Sequence, residues 1–226
     1  MGVVIFVKNE AMTIGALIDG VSRFIGLNNI FVMDGHSNDG TISAIKAKKA
    51  QLYFDKREGK GSAVRLAINE IKRDVLILMD SDGSHRPEEI PYFLEPFYRA
   101  DDVDMVIGSR FKGGSEELFG SLSEIIRLLG NALSTLLINI IWRAGLTDVQ
   151  NGFRAVRRKA ILEVRLVEDG FAIEQEMVIR LLKHRKKIIE VPSYELKRKF
   201  NKSHIVPFKM MIDCIFCFTR NYFWSK

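Results

Sequence analysis

Short runs of Val, Ile and Leu recur through the first half of the chain, and each is followed by a polar stretch with helical spacing. No other feature restricts the fold as much. Residues 3–7, 30–33, 52–54, 75–79 and 105–107 are too short for helices and too apolar for strands with a wet face. They read as strands buried on both sides. Between them, helices are predicted over 13–24, 41–49, 62–72 and 88–98. This order builds a mostly parallel central sheet flanked by helices, an α/β fold. With 226 residues, 47% of them apolar, the chain is long enough to bury a full core.

After Gly113-Gly114 the pattern changes. Residues 122–142 are strongly apolar and fit one helix, but only 128–142 lack charge, too short a run for an ordinary membrane span. Residues 205–224 are rich in Phe and Met yet carry Lys209, Asp213 and Arg220. Both segments read as amphipathic interfacial helices, with a core helix as the alternative for the first. The chain opens on a strand, so no cleavable leader is expected. Its net charge of +6 suits anionic partners. The basic residues are not interleaved with aromatics as in nucleic-acid modules, so no nucleic-acid partner is expected. Cys214 and Cys217 share a helix face without a second ligand pair, and a metal or redox role is the minority reading.

The chemistry concentrates where strands end. Leu76-Ile77-Leu78-Met79 runs into Asp80-Ser81-Asp82, and alternate strand residues share a face, so the two carboxylates can converge on one ligand. Ligands of open α/β sheets bind outside the carboxyl ends of the strands. A hard divalent cation, Mg²⁺ or Mn²⁺, held by Asp80 and Asp82 with diphosphate oxygens fits this place. Alone, an Asp-x-Asp is more often a turn than a site. A second strand ends in Asp34-Gly35-His36-Ser37-Asn38-Asp39-Gly40. Asp34 there can accept from a ribose or base edge, or the loop is a turn in which Asn38 or Asp39 caps the next helix. Gly59-Lys60-Gly61-Ser62 opens a helix and favours an anion near its amides. It is no P-loop, because Phe54 stands where the first glycine is required.

These loops, with Gly108-Ser109-Arg110 and Asn151-Gly152-Phe153-Arg154, follow the order seen in glycosyltransferase family 2. Within it the chain resembles the dolichyl-phosphate mannose and glucose synthases from residue 3 to about 203. Val4-Ile5-Phe6-Val7-Lys8-Asn9-Glu10 and Glu190-Val191-Pro192, with Arg198 beyond, add to the likeness. Phe6 in place of a common proline, Asn131 in place of a serine, and Asn201 and His204 in place of a glycine and a lysine depart from it.

The resemblance implies a GT-A-type nucleotide-sugar-binding fold over residues 1–204, with an interfacial helix within 118–146, and a membrane-associating segment at 205–226. It implies donor nucleotide contacts from Val7, Asn9, Glu10, Asp34, Lys60 and Asp80, and acceptor phosphate contacts from Arg110, Arg127, Asn131 and Arg198. Asp80, Asp82, Arg110, Arg127 and Arg198 carry catalysis in this reading. The expected reaction is metal-dependent, inverting transfer of a hexose from GDP-mannose or UDP-glucose to a polyprenyl (dolichyl) phosphate. It takes place at the cytoplasmic face of a membrane, with the protein peripheral or monotopic. A phosphate acceptor is already anionic and needs no base, whereas an alcohol acceptor would need one, Asp148 or Glu174. The competing readings are a soluble family 2 enzyme acting on a hydroxyl, and a non-catalytic nucleotide-sugar or membrane-binding module. Asp80, Asp82 and Arg154 speak against the latter.

Overall fold

A computed structural model describes residues 1–117, 122–198, 200 and 207–223. Within these residues seven strands form one sheet: β1 (Gly2–Val7), β2 (Ile30–Asp34), β3 (Gln51–Phe54), β4 (Val75–Asp80), β5 (Val103–Ser109), β6 (Arg154–Arg157) and β7 (Lys187–Pro192). Their order is β3-β2-β1-β4-β6-β5-β7. All five strands expected from the apolar runs are present. β6 runs antiparallel to β4 and β5, while the remaining pairs are parallel.

Helices cover both faces. α1 (Ile14–Ser22), α2 (Thr41–Ala47), α3 (Lys60–Glu70) and α4 (Ile90–Arg99) lie close to the expected spans. A short α5 (Arg110–Gly113) and a long α6 (Leu122–Trp142) follow β5. α7 (Arg158–Glu163), α8 (Ile173–Lys183) and α9 (Pro207–Phe223) complete the set. The period of two in β1 divides the core into two layers. Val3, Ile5 and Val7 pack with Ile14, Ile18 and Phe93 of α1 and α4. Val4 and Phe6 pack with Ala63, Ala67 and Met177 of α3 and α8.

This topology places the chemistry. β1 lies between β2 and β4, with Val7 opposite Asp34 and Phe6 opposite Asp80. The chain therefore departs from the sheet in different directions at one edge, which opens the crevice that α/β folds use for ligands.

α6 and α9 are amphipathic in an inverted sense. The inward stripe of α6 carries Asn131, Thr135 and Ile138, all buried, while Leu129, Leu133, Leu136 and Ile140 are 55–66% exposed. α9 turns Cys214, Cys217 and Asn221 inward and leaves Phe208, Ile215, Phe216 and Phe223 exposed. The cysteines are unreactive packing residues: burial pushes the Cys214 thiol up to about 12 and Cys217 higher still. The charge-free run understates α6, because its Glu124 and Arg127 sit near one end of the helix. Glu124–Trp142 has a mean hydropathy of 1.6 and is long and apolar enough to cross a membrane by length and composition. Residues 205–206 and 224–226 of the expected membrane-associating segment, and Asn201 and His204 before it, lie outside the described residues.

Candidate active site

A cleft of about 770 Å³ opens at the carboxyl edge of β1 and β4. Asp80 ends β4, so strand alternation stops there and Asp82 reaches the cleft from the following turn. Both carboxylates nevertheless line the same space. Each meets a cation from elsewhere in the chain. Lys60 Nζ lies 2.7 Å from Asp80 Oδ1 and 2.8 Å from Glu174 Oε1. Burial alone would lower the pKa of this ammonium, but the two carboxylates outweigh it and raise it. Arg198 Nη2 lies 2.6 Å from Asp82 Oδ2, and its Nη1 is 3.5 Å from Glu10 Oε1. The Ser84 amide and hydroxyl donate to Asp82 Oδ1 at 3.0 and 2.6 Å. Burial would raise the Asp82 pKa, yet His85, the Ser84 hydroxyl and Arg198 together hold it down to about 2.

An ionised Asp82 beside Asp80 suits a hard divalent cation, which takes one or two carboxylates and completes its shell with diphosphate oxygens. Among the described residues no group of three or more His, Cys, Asp or Glu side chains forms a self-sufficient metal cage. The donor set therefore fits an ion brought with a diphosphate.

Gly152 borders the Asp80–Lys60 pair. A Cβ there would stand 2.7 Å from Asp80 Oδ2 and 3.2 Å from Lys60 Nζ, so glycine gives the pair its room. Gly61 serves packing. Its amide donates to the Asp169 carbonyl at 2.7 Å, and a Cβ would overlap the Glu168 carbonyl oxygen. The Ser62 amide also points to Asp169 O. The amides at the start of α3 are thus occupied by backbone, and what this loop offers the cleft is the Lys60 side chain.

Val7 and Glu10 line the cleft, beside Lys8, Gly35 and Asp55. Asp34 is fully buried and accepts from the Ser37 amide at 2.8 Å and hydroxyl at 2.6 Å. Asn9 accepts from the Asn38 amide at 2.9 Å, tying the two loops together. Asp39 accepts from the Thr41 amide at 3.1 Å just ahead of α2, whose N-cap is Gly40 and not Asn38 or Asp39. Of this loop Gly35 lines the cleft, while Asp34 and Asn9 are held in loop contacts outside its lining.

The side of the cleft expected to meet the acceptor is built on a buried carboxylate. Glu190 of β7 accepts from the amides of Thr147 and Asp148 at 2.7 and 2.9 Å. Asp148, with no exposed surface, then grips Arg110 through Nε at 2.7 Å and Nη2 at 2.9 Å. Asn131 Nδ2 donates to the same carboxylate at 2.8 Å. Burial would raise the Asp148 pKa, but Arg110 and Asn131 lower it. So enclosed, Asp148 orients Arg110 and cannot reach an acceptor as a base. Arg110, Arg127, Asn131 and Arg198 all line the cleft. Arg154 does not: it is buried and donates to the carbonyls of Val149, Asn151 and Glu174, which makes it a structural support. Glu117 and Glu195 also line the cleft, and nothing in the sequence singled them out. Glu195 meets Arg110, 85 residues away, and Glu117 meets Arg127, ten residues on, and the Arg198 amide, 81 residues on.

Comparison with known proteins gives the family and the fold. Glycosyltransferase AglJ of Haloferax volcanii is 32% identical over 186 residues, which are 82% of this chain and 59% of that protein. This chain therefore spans little more than half of AglJ. The undecaprenyl-phosphate mannosyltransferase of Micrococcus luteus is 29% identical over 210 residues, 87% of this chain and 82% of its own length. Glucosyl-3-phosphoglycerate synthase of Mycobacterium tuberculosis, solved with Mn²⁺, UDP and phosphoglyceric acid, superposes with a TM-score of 0.79 at 19% identity. The match covers all of this chain and 79% of that one, and establishes a GT-A-like α/β fold. The sequence profile described as Glycosyl transferase family 2 matches residues 2–165, and the chain belongs to that family.

Proposed function

We propose that the chain transfers a hexosyl group from a nucleoside-diphosphate sugar to a polyprenyl phosphate at a membrane surface. The observation that carries this reading is the composition of the cleft. Two carboxylates suited to a metal and diphosphate face three arginines suited to a phosphate, beside a helix whose leucines point outward. The name of the Micrococcus luteus relative supports the acceptor, and the Mn²⁺ and UDP of the mycobacterial structure support the donor and cofactor.

In this reading Val7, Glu10 and the loop of Asp34 and Asn9 border the nucleotide, and Lys60 faces the diphosphate. Mg²⁺ or Mn²⁺ bound to Asp82 and Asp80 supplies Lewis-acid neutralisation of the leaving diphosphate. Arg110, Arg127 and Arg198 orient the acceptor phosphate against the anomeric carbon, where guanidinium forks match phosphate oxygens. The acceptor is already an anion, so no proton needs removing before attack, and direct displacement inverts the anomeric carbon. Residues 205–226 and the outward face of α6 hold the prenyl chain's membrane close to the cleft.

The soluble-acceptor alternative draws on the phosphoglyceric acid bound in the mycobacterial neighbour. The deciding experiment offers the protein labelled GDP-mannose and UDP-glucose with Mn²⁺ and a short-chain prenyl phosphate. Label entering the organic phase, with matching thermal stabilisation by one donor, is the expected result. Label transferred only to water-soluble acceptors would overturn the lipid reading. Donor binding without transfer to any acceptor would favour a binding module.

A further inference from the structure

We infer that Glu117 is a built-in counter-ion of the acceptor site: its carboxylate stands where the acceptor's anionic group binds, and it sets how tightly that anion is held. The inference rests on the phosphate-acceptor reading above.

The three cleft arginines differ in how firmly they are held. Arg110 is fixed by Asp148, and separating them would leave a bare charge in the interior. The guanidinium of Arg198 belongs to Asp82 and Glu10. Arg127 is different. Its Nη2 meets Glu117 Oε2 at 3.4 Å, a long single contact between side chains that are 25% and 20% exposed. An ion pair of this kind is weak and exchangeable.

Glu117 has a second donor on the opposite wall. Its Oε1 accepts from the backbone amide of Arg198 at 3.0 Å. One carboxylate thus bridges a side chain of α6 and the segment that follows β7, at the border of the cleft. A guanidinium and a backbone amide converging on one anion are also what binds a phosphate. The segment is tied to the rest of the acceptor side as well. The Glu117 amide donates to Ser115 Oγ at 3.1 Å, and the Ser115 hydroxyl donates to Glu195 Oε2 at 2.6 Å. Glu195 in turn reaches Arg110.

An incoming phosphate must displace this carboxylate or bind against its charge. Either way Glu117 weakens the anion it competes with. A neutral hydroxyl compound lacks the charge to displace it, so Glu117 also biases the site toward charged acceptors.

The test compares the full chain with Glu117→Gln, which keeps an oxygen for the Arg198 amide, and with Glu117→Ala. Calorimetric titrations use inorganic phosphate and a short-chain prenyl phosphate, each with nucleoside diphosphate and Mn²⁺ present. We expect both variants to bind at least one of these anions roughly three- to tenfold more tightly, with nucleoside diphosphate affinity unchanged. If inorganic phosphate tightens while no form transfers sugar to the prenyl phosphate, the counter-ion role stands and the lipid-acceptor reading falls. Unchanged or weaker binding of both anions overturns the inference, as does failure of both anions to bind any of the three proteins.

Discussion

Arg198 Nη2 and Asp82 Oδ2 meet at 2.6 Å although 116 residues separate them in the chain. The contact joins the carboxylate assigned to the metal with the guanidinium assigned to the acceptor. In the proposed function the two sites therefore share an ion pair, and a divalent ion arriving at Asp82 would compete with Arg198 for the same negative charge. Arg198 drawn off Asp82 in this way would turn toward a second anion.

Asp82→Asn should abolish metal-dependent transfer, by about a hundredfold or more, while the chain still folds. The residue follows a strand end and is not part of either core layer. Its pKa of about 2 adds a stability signature. A depressed carboxylate stabilises the fold above the unfolded value, near pH 4, and that contribution fades as pH falls toward about 2. The shift corresponds to an order of 2 kcal/mol. Urea unfolding should show wild type and variant well separated near about pH 7 and converging only toward about pH 2. Near-normal turnover of the variant with Mn²⁺ would remove Asp82 from the metal site.

Arg198→Ala should raise the KM for prenyl phosphate roughly tenfold or more, and change the KM for the donor much less. Loss of the guanidinium also uncovers Asp82, so Mn²⁺ with nucleoside diphosphate should bind at least as tightly as in wild type. Equal losses for donor and acceptor would show that Arg198 serves the diphosphate.

Gly152→Ala should leave the unfolding temperature within a few degrees and weaken nucleotide-sugar binding by about tenfold. The added Cβ meets the ends of two side chains, Asp80 and Lys60, which yield more readily than backbone. Gly61→Ala should do the reverse and destabilise the whole chain, because its Cβ overlaps the Glu168 carbonyl oxygen and that backbone has no room to retreat. Melting curves and donor titrations on the two variants separate the roles. A large loss of stability in Gly152→Ala would make it a packing residue as well.

Of the first five strands, β1, β2, β4 and β5 were legible as apolar runs buried on both faces, and β3, half-buried with Phe54 exposed, as a short apolar run before a turn. β6 was not: Arg154-Ala155-Val156-Arg157 has the composition of a surface segment, and Arg154 is buried only because three backbone carbonyls meet its guanidinium. The carboxylates of the site were visible as strand-end residues, whereas their partners were not. Lys60 and Glu174 converge on one another, and Arg198 on Asp82, through tertiary folding that no local pattern encodes. Asp34 shows the same limit from the other side. Its position at the end of β2 follows from sequence, but its capture by Ser37 depends on the shape of the loop.

The inverted helices lead to the last expectation. α6 buries Asn131 and Thr135 and exposes Leu133, Leu136 and Ile140, the opposite of what a helix on a water-facing surface needs. α9 repeats this with Phe208, Phe216 and Phe223 outward. The two helices pack on one another, since Trp142 of α6 meets Phe218 of α9 edge-on at 6.1 Å between ring centroids. Their apolar faces therefore lie near each other and near Arg127 and Met210, which line the cleft. A bilayer surface would cover both faces and place a prenyl phosphate at the arginines, with the net charge of +6 adding attraction to anionic lipid. In flotation with anionic liposomes, the intact chain should rise with the vesicles. A variant with Leu133, Leu136 and Phe216 changed to Ser should stay behind and keep its fold, because these side chains face outward. Phe218 is left intact, as it belongs to the contact between the helices. If the intact chain remains in the soluble fraction at low salt, the apolar faces are contacts between protein copies, and a water-soluble acceptor becomes the leading reading of the cleft.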